Sequence, residues 1–300
     1  MYTRFTITNI EPYVYLLKEI FLITLYSAII YVFYEYFGKH HLALSFSVSA
    51  IMGTAIAILL GFRTSAAYDR WWEARKIWGS IVNDSRTLVR QAIGFISSGE
   101  NKDQKLLKLT RYQIAWCYAL STSLRKQPIS EEVEKNLSDE DFISVTEQLN
   151  IPNAILKLME DHLALLFKQG NIGAYHFGIM DQTLSSLCDN MGKCERIKNT
   201  VFPVHYSFFI RLAIIIFAVL LPLEVVEFLG IYTMPITFAT ITFISVIELI
   251  ARYLQDPFEN RPADIGMTAI CRTIEINLLQ LLGEKDVPDV IKPDKNGIIM

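Results

Sequence analysis

The chain has 300 residues, 52% of them hydrophobic and 20% charged, with a net charge of -3 and a mean hydropathy of +0.30. That charge excludes a polybasic nucleic-acid binder, and the apolar excess is more than one soluble core of this length uses, which points to membrane spans. Cys117, Cys188, Cys194 and Cys271 are scattered without a CxxC pair, and His40-His41 stands without other ligands nearby. Thiols in a reducing compartment, with no metal site and no cofactor, are the expectation.

In chain order, the first apolar run begins near Ile20, after Lys18-Glu19, and has no small-x-small motif at its end. It reads as a span rather than a cleaved leader. Four stretches, 20–37, 42–62, 210–229 and 231–250, are long and apolar; roughly 20 helical residues cross about 30 Å of hydrocarbon. GKHH joins the first two and the region of Gly230 joins the last two, so the spans form two helical hairpins. Tyr31, Tyr34, Tyr36 and Phe37 crowd one end, as in an interfacial belt. Arg63, Arg70, Arg75 and Lys76 follow the second span, Lys193, Arg196 and Lys198 precede the third, and Arg252 and Arg261 follow the fourth. One outer turn holds Lys39 alone and the other no Lys or Arg. The positive-inside rule then puts both termini and the middle segment in the cytoplasm, in a multi-pass inner (plasma) membrane protein.

The expected organisation is an N-terminal segment and hairpin over 1–62, a cytosolic helical region over 63–200, a second hairpin over 201–254, and a cytosolic helix and tail over 255–300. In the middle region Trp71, Ala74, Trp78, Ile81 and Ser85 recur at helical spacing, and 106–124 and 175–191 are amphipathic. A helix capped by Asn153 runs to a stop at Gly170, 125–142 is an exposed acidic loop, and a charged, mobile tail follows Gly283. Strand signals are nearly absent. The fold class is an all-α membrane protein with four transmembrane helices and a cytosolic helical domain.

The second span carries the most information. Gly53, Ala57 and Gly61 make a small-residue stripe that lets a neighbouring helix approach. About 100° round lie Thr54, Ile58 and Phe62, with Ser47 and Ile51 nearly on their extension. Facing a common axis in an oligomer, these side chains would form a dry constriction that blocks ions by dewetting. Spacing alone favours the plainer alternative, in which Ile58 and Phe62 face lipid or the bundle core. Arg63 follows at the membrane boundary; Asp69, Arg70, Glu73 and Lys76 stand at ion-pair spacings, and Trp71 and Trp72 point about 100° apart. Near the span ends, Arg211 and Glu248 are candidates to pair, and Glu224 and Glu227 flank the second outer turn, at a pore mouth or, more simply, among headgroups. Pro222 would kink or end the third span.

LGFRTSAAYDRWWEARKIWG (60–79), Arg90-Gln91, MGKCERI (191–197) leading into TVFP, LQDPFENRPADI (254–265) and CRTIEINLLQLLG (271–283) resemble, in order and over nearly the whole chain, the bacterial branch of the bestrophin family. The resemblance implies a homopentameric ion channel in the lipid bilayer, with four spans per subunit and a pore lined by the second. It makes Thr54, Ile58 and Phe62 the neck, with Thr54 replacing an isoleucine-like residue and giving a wetter outer ring. It places a second apolar constriction in the cytosolic vestibule at Ile172, with Ile179 the alternative. Arg63, Trp71, Trp72 and Glu73 would brace the pore exit and the subunit interface. The calcium clasp of animal members needs an acidic run; DPFENRPAD keeps only Glu259 and Asp264, so calcium gating is not expected. Bacterial relatives imply monovalent cations such as sodium as permeant ions, with a chloride-type anion channel or a non-conducting scaffold as alternatives. There is no GxSxG, metal motif or phosphate loop to suggest an enzyme.

Overall fold

A computed structural model describes residues 11–37, 47–98, 101–200, 202–294 and 297–299. Ten α-helices occupy the described residues: α1 Glu11–Phe37, α2 Ser47–Phe95, α3 Lys102–Arg125, α4 Glu131–Lys135, α5 Asp139–Thr146, α6 Ile151–Lys168, α7 Ala174–Asn199, α8 Val204–Leu229, α9 Thr233–Leu254 and α10 Met267–Leu281. The GKHH turn, Lys39 and the start of the expected second span lie outside the described residues.

The chain divides into two compact units. The membrane unit holds, among the described residues, 11–71 and 202–256, and the helical unit holds the rest. The division of α2 falls between Trp71 and Trp72, rather than at the expected boundary after Phe62.

By length and composition, three stretches of the described residues are apolar enough to cross a membrane: Leu16–Tyr36, the helix Ser47–Phe95, and Val204–Leu254. The last contains two helices, α8 of 26 and α9 of 22 residues, joined by a single 3-10 turn, Gly230–Tyr232. Each exceeds the roughly 20 residues a crossing needs, so four helices are long enough to span. Gly230 sits at φ +51°, where a side chain is disfavoured, and this sharpens the reversal. Pro222 neither ends nor interrupts α8. It removes only the N–H that would have met the carbonyl of Ala218. Ile56 and Leu60 of α2 pack with Ile210, Ile214, Phe217, Ala218, Leu221 and Val225 of α8 and Ile241 of α9. Gly53 meets the Phe217 ring; a Cβ there would stand 3.4 Å from it. α1 packs on both α8 and α9.

The helical unit is built round α3, whose residues from Ile114 to Ser121 are all buried. α6, α7 and α10 pack against it, and Trp78, Trp116, Tyr118 and Phe258 are among its largest buried side chains. The stretch 125–142 departs from the expected acidic loop: it contains α4 and the start of α5. Val133 and Val145 anchor these short helices in the core. Ser138 caps α5 by accepting the Asp141 N–H, a Ser-x-x-acid signal legible in the sequence. The cap of α6 is Asn150, which accepts from the Asn153 N–H at 3.1 Å, not Asn153 itself. Pro152 then sits in the first turn, where its missing N–H costs nothing. Gly170, at φ +71°, follows the end of α6 as expected. Residues 285–294 form neither helix nor strand.

A candidate pore-lining face and a buried charge cluster

α2 buries one face in the membrane unit: Ser49, Ile56, Leu60, Arg63 and Ala67. At about 100° per residue these share one side of the helix. Thr54, Ile58 and Phe62 lie on the opposite side, with Ile58 55% and Phe62 69% exposed in the protomer. Gly61 has nothing within 4 Å of an added Cβ. The Thr54 hydroxyl donates to the Ala50 carbonyl at 2.8 Å. Its polar atom is thereby tied to the helix backbone.

This open face differs in kind from those of α1 and α8. α1 presents Phe21, Leu22, Leu25 and Ile29, and α8 presents Phe208, Phe209, Leu212, Ile215, Ile216 and Val219, all large and apolar. The α2 face mixes Ile58 and Phe62 with exposed Thr54, Ala55, Ala57, Gly61, Ser65 and Asp69. Asp69 stands seven residues beyond Phe62, two turns on and in line with it.

Arg63 does not lie at the surface of the protomer. It is 2% exposed and its Nη1 donates to Glu248 Oε1 at 3.1 Å, with Glu248 itself 3% exposed. Its guanidinium also lies 5.9 Å from the Phe202 ring centroid. Arg252, one turn along α9, donates to Glu248 Oε2 at 2.6 Å. Arg211 stands 3.9 Å from the same oxygen and donates to Glu19 on α1. The sequence-based pairing of Arg211 with Glu248 is therefore a long contact, and Arg63 and Arg252 are the close partners. Two carboxylates and three guanidiniums tie all four helices of this unit together. The Glu248/Arg252 spacing of four residues was legible; Arg63 was not, since nothing local marks which of several flanking arginines turns inward. The Tyr206 hydroxyl, donating to the Leu59 carbonyl at 3.1 Å, adds a tie between α8 and α2.

Glu224 is also displaced from its expected setting. It is 0% exposed, whereas Glu227 is exposed, so only the latter can meet headgroups or a mouth. Trp71 is half-buried and stacks on Tyr68, ring centroids 6.2 Å apart.

In the helical unit Trp72 is exposed, and Glu73 accepts from Arg196 of α7 at 2.5 Å. Glu73 thus ties α2 to α7 at the surface. Ile172 is 2% exposed and part of the packed core of the protomer. Ile179 is half-exposed and is the position of the two that has surface to offer. Glu259 is held by Lys198 at 2.6 Å. Asp264 is buried and accepts from the Arg261 N–H at 3.0 Å; burial pushes its carboxyl up to about 6, against the lowering effect of that hydrogen bond and of Arg261. Among the described residues no three His, Cys, Asp or Glu gather as metal ligands. All four cysteines are free, Cys188 alone exposed, and burial raises the Cys117 and Cys194 thiols to about 12.

Comparison with known proteins places this architecture. The family model described as bacterial/fungal bestrophin protein matches residues 6–280. The voltage-dependent anion channel-forming protein YneE of Escherichia coli K12 is 34% identical over 260 residues, 85% of this chain and 84% of that protein. The voltage-dependent anion channel-forming protein alr2987 of Nostoc is 32% identical, over 77% of this chain and 75% of its own. The crystal structure of a bacterial bestrophin homologue from Klebsiella pneumoniae superposes with a TM-score of 0.83 at 31% identity, covering 90% of this chain and all of that one. The chain is therefore a member of the bacterial/fungal bestrophin family.

Proposed function

We propose that this chain forms a homopentameric channel for monovalent ions, with Thr54, Ile58 and Phe62 of each copy making an apolar neck. The observation that carries this reading is the α2 face itself. A lipid-facing stripe on a neighbouring helix is uniformly large and apolar, whereas this one holds Thr54, Gly61, Ser65 and Asp69 among its apolar members. Thr54 and Gly61 interrupt the stripe within the span, and Ser65 and Asp69 carry it on as a polar line past Arg63, which suits the wall of a passage that continues into water. The relatives named as anion channel-forming proteins support the channel class.

Passage through such a neck is governed by wetting: rings of isoleucine and phenylalanine exclude water until small helix movements widen them. Cations are favoured, because with Arg63 buried against Glu248 the first charged residue on the exposed stripe past Phe62 is Asp69. A ring of such carboxylates concentrates cations at the exit. The second reading, an anion channel, rests on the names of the relatives. Ile179 supplies a lower apolar ring, and Trp71 and Trp72 brace the passage beyond the neck. Both termini lie in the cytoplasm.

The test is reconstitution in a planar bilayer. In a NaCl gradient the reversal potential should move toward the sodium equilibrium potential, and Asp69→Asn should shift it toward zero. Movement toward the chloride potential establishes the anion reading. No conductance under any ionic condition removes the channel reading altogether.

A further inference from the structure

Glu224 contrasts with the other buried carboxylate of the membrane unit. Glu248 has Arg63 and Arg252 on its two oxygens. Glu224, 0% exposed, has the backbone N–H of Ser49 on Oε2 at 2.9 Å, while its Oε1 is buried without a partner. No basic side chain is within reach along the described helices. α1 from Ile20 onward, α2 up to Phe62, α8 from Leu212 onward and α9 up to Ala251 contain no Lys, Arg or His. A carboxylate taken out of water without a counter-charge is among the costliest groups a fold can bury.

Oxygen atoms without partners recur within about one helical turn of Glu224 along the bundle. The hydroxyls of Ser49, Thr233, Thr237 and Ser27 are all buried and unbonded. Ser49 is fixed beside Glu224 by its own N–H. Thr237 lies six residues beyond the centre of the Gly230–Tyr232 turn, and Glu224 seven before it. At about 1.5 Å of rise per residue the two share one height on the packed helices α8 and α9. Thr233 is one turn above Thr237 on the same buried face. Ser27 is set about one turn below by the Tyr26 hydroxyl, which donates to the Val219 carbonyl. Pro222, with no N–H, leaves the Ala218 carbonyl without its usual donor at that lower level.

We propose that Glu224, Ser49 and Thr237, with Thr233 at the rim, form a binding site for one dehydrated monovalent cation, sodium being the probe, within the protomer and apart from the pore-lining face. A single carboxylate neutralises one positive charge, and hydroxyl oxygens are the ligands hard cations take. Calcium would need several carboxylates. The site's role is structural: the ion holds the first turn of α2 to α8 and α9, whether or not the channel conducts.

The experiment is thermal unfolding of the detergent-purified full chain, titrating NaCl against choline chloride at constant ionic strength. The wild type should show a saturable rise in Tm of at least a few degrees with sodium. Glu224→Gln should abolish the sodium dependence while keeping an acceptor for the Ser49 N–H. Thr237→Val should raise the half-saturating sodium concentration about tenfold, the loss of roughly one good ligand. If Glu224→Gln does not fold, the Thr237→Val midpoint decides, and an unmoved midpoint overturns the proposal. A wild-type Tm that ignores sodium also overturns it. Such a flat response identifies a proton, or a basic residue of 38–46, as the counter-charge; a Tm in choline chloride that rises as the pH falls marks the proton.

Discussion

The two units solve opposite packing problems with one alphabet. The helical unit hides Trp78, Trp116, Tyr118 and Phe258 and leaves most of its charge outside, as in the exposed pairs Lys135–Glu131 and Lys157–Asp161, with Asp264 a buried exception. The membrane unit turns Phe21, Leu22, Phe208 and Phe209 outward and draws Glu248, Arg63 and Glu224 inward. α2 carries both patterns on one helix of 49 residues. What differs is the solvent: in hydrocarbon an apolar side chain gains little by burial, so charge and hydrogen bonding specify the packing. In water the apolar core does. An ion pair should therefore matter greatly in one unit and little in the other.

The largest effect is expected at Glu248. Glu248→Ala leaves Arg63 buried without its carboxylate and should cost about 3–5 kcal/mol, seen as a lower unfolding midpoint or loss of the assembled oligomer in detergent. Glu248→Gln should be milder, since an amide oxygen still accepts from one guanidinium.

Next comes Asp264, in the helical unit. Its folded-state pKa is raised from 3.8 to about 6 by burial. The folded chain therefore holds a proton there that the unfolded chain releases earlier. The stability this group contributes is full below about pH 4 and is lost as the pH rises through 6, on the order of 3 kcal/mol. Unfolding of the wild type and Asp264→Asn, compared across that window, should show the gap between them closing in acid and widening in favour of the variant toward neutral pH. A constant gap would contradict the assignment.

How much of this was legible follows the same division. Element type and the four spans came from hydropathy and helical spacing, because long periodic stretches report their environment directly. The Thr54–Ile58–Phe62 stripe was legible as a stripe, but spacing gives a face and not what it faces. The outward turn of Ile58 and Phe62 became visible only once Ile56, Leu60 and Arg63 were seen packed on the other side. Long-range pairings were not legible. Arg63 with Glu248 is separated by 185 residues, and Glu224 with Ser49 by 175, so no local pattern carries them. The caps Ser138 and Asn150 were written in the sequence as polar residues three positions before the N–H they receive. Pro152 drew attention to the wrong asparagine. Ile172 was reached through the family resemblance, which left the register open between it and Ile179; in the fold the Ile172 side chain fills the core.

Smaller stability effects are expected where side chains are open in the protomer. Ile58→Ala and Phe62→Ala should change the unfolding free energy by no more than about 1 kcal/mol, yet increase ion flux in liposomes by widening and wetting the neck. Unchanged flux with a conducting wild type would remove both residues from the pore. Smallest of all, Glu73→Ala should cost under about 1 kcal/mol, because the pair with Arg196 is exposed. A loss as large as that of Glu248→Ala would erase the contrast between the two units.

The claim on which the account turns is that the Thr54–Ile58–Phe62 face meets water in the assembled protein. Ile58→Cys, in a background where the exposed Cys188 is replaced by serine, tests it directly in reconstituted bilayers. A charged, water-soluble thiol reagent should react there and reduce the current, with no effect on the Cys188-free background. Labelling only by a membrane-partitioning reagent, with the current unchanged, would show that the face looks into lipid and would contradict the account.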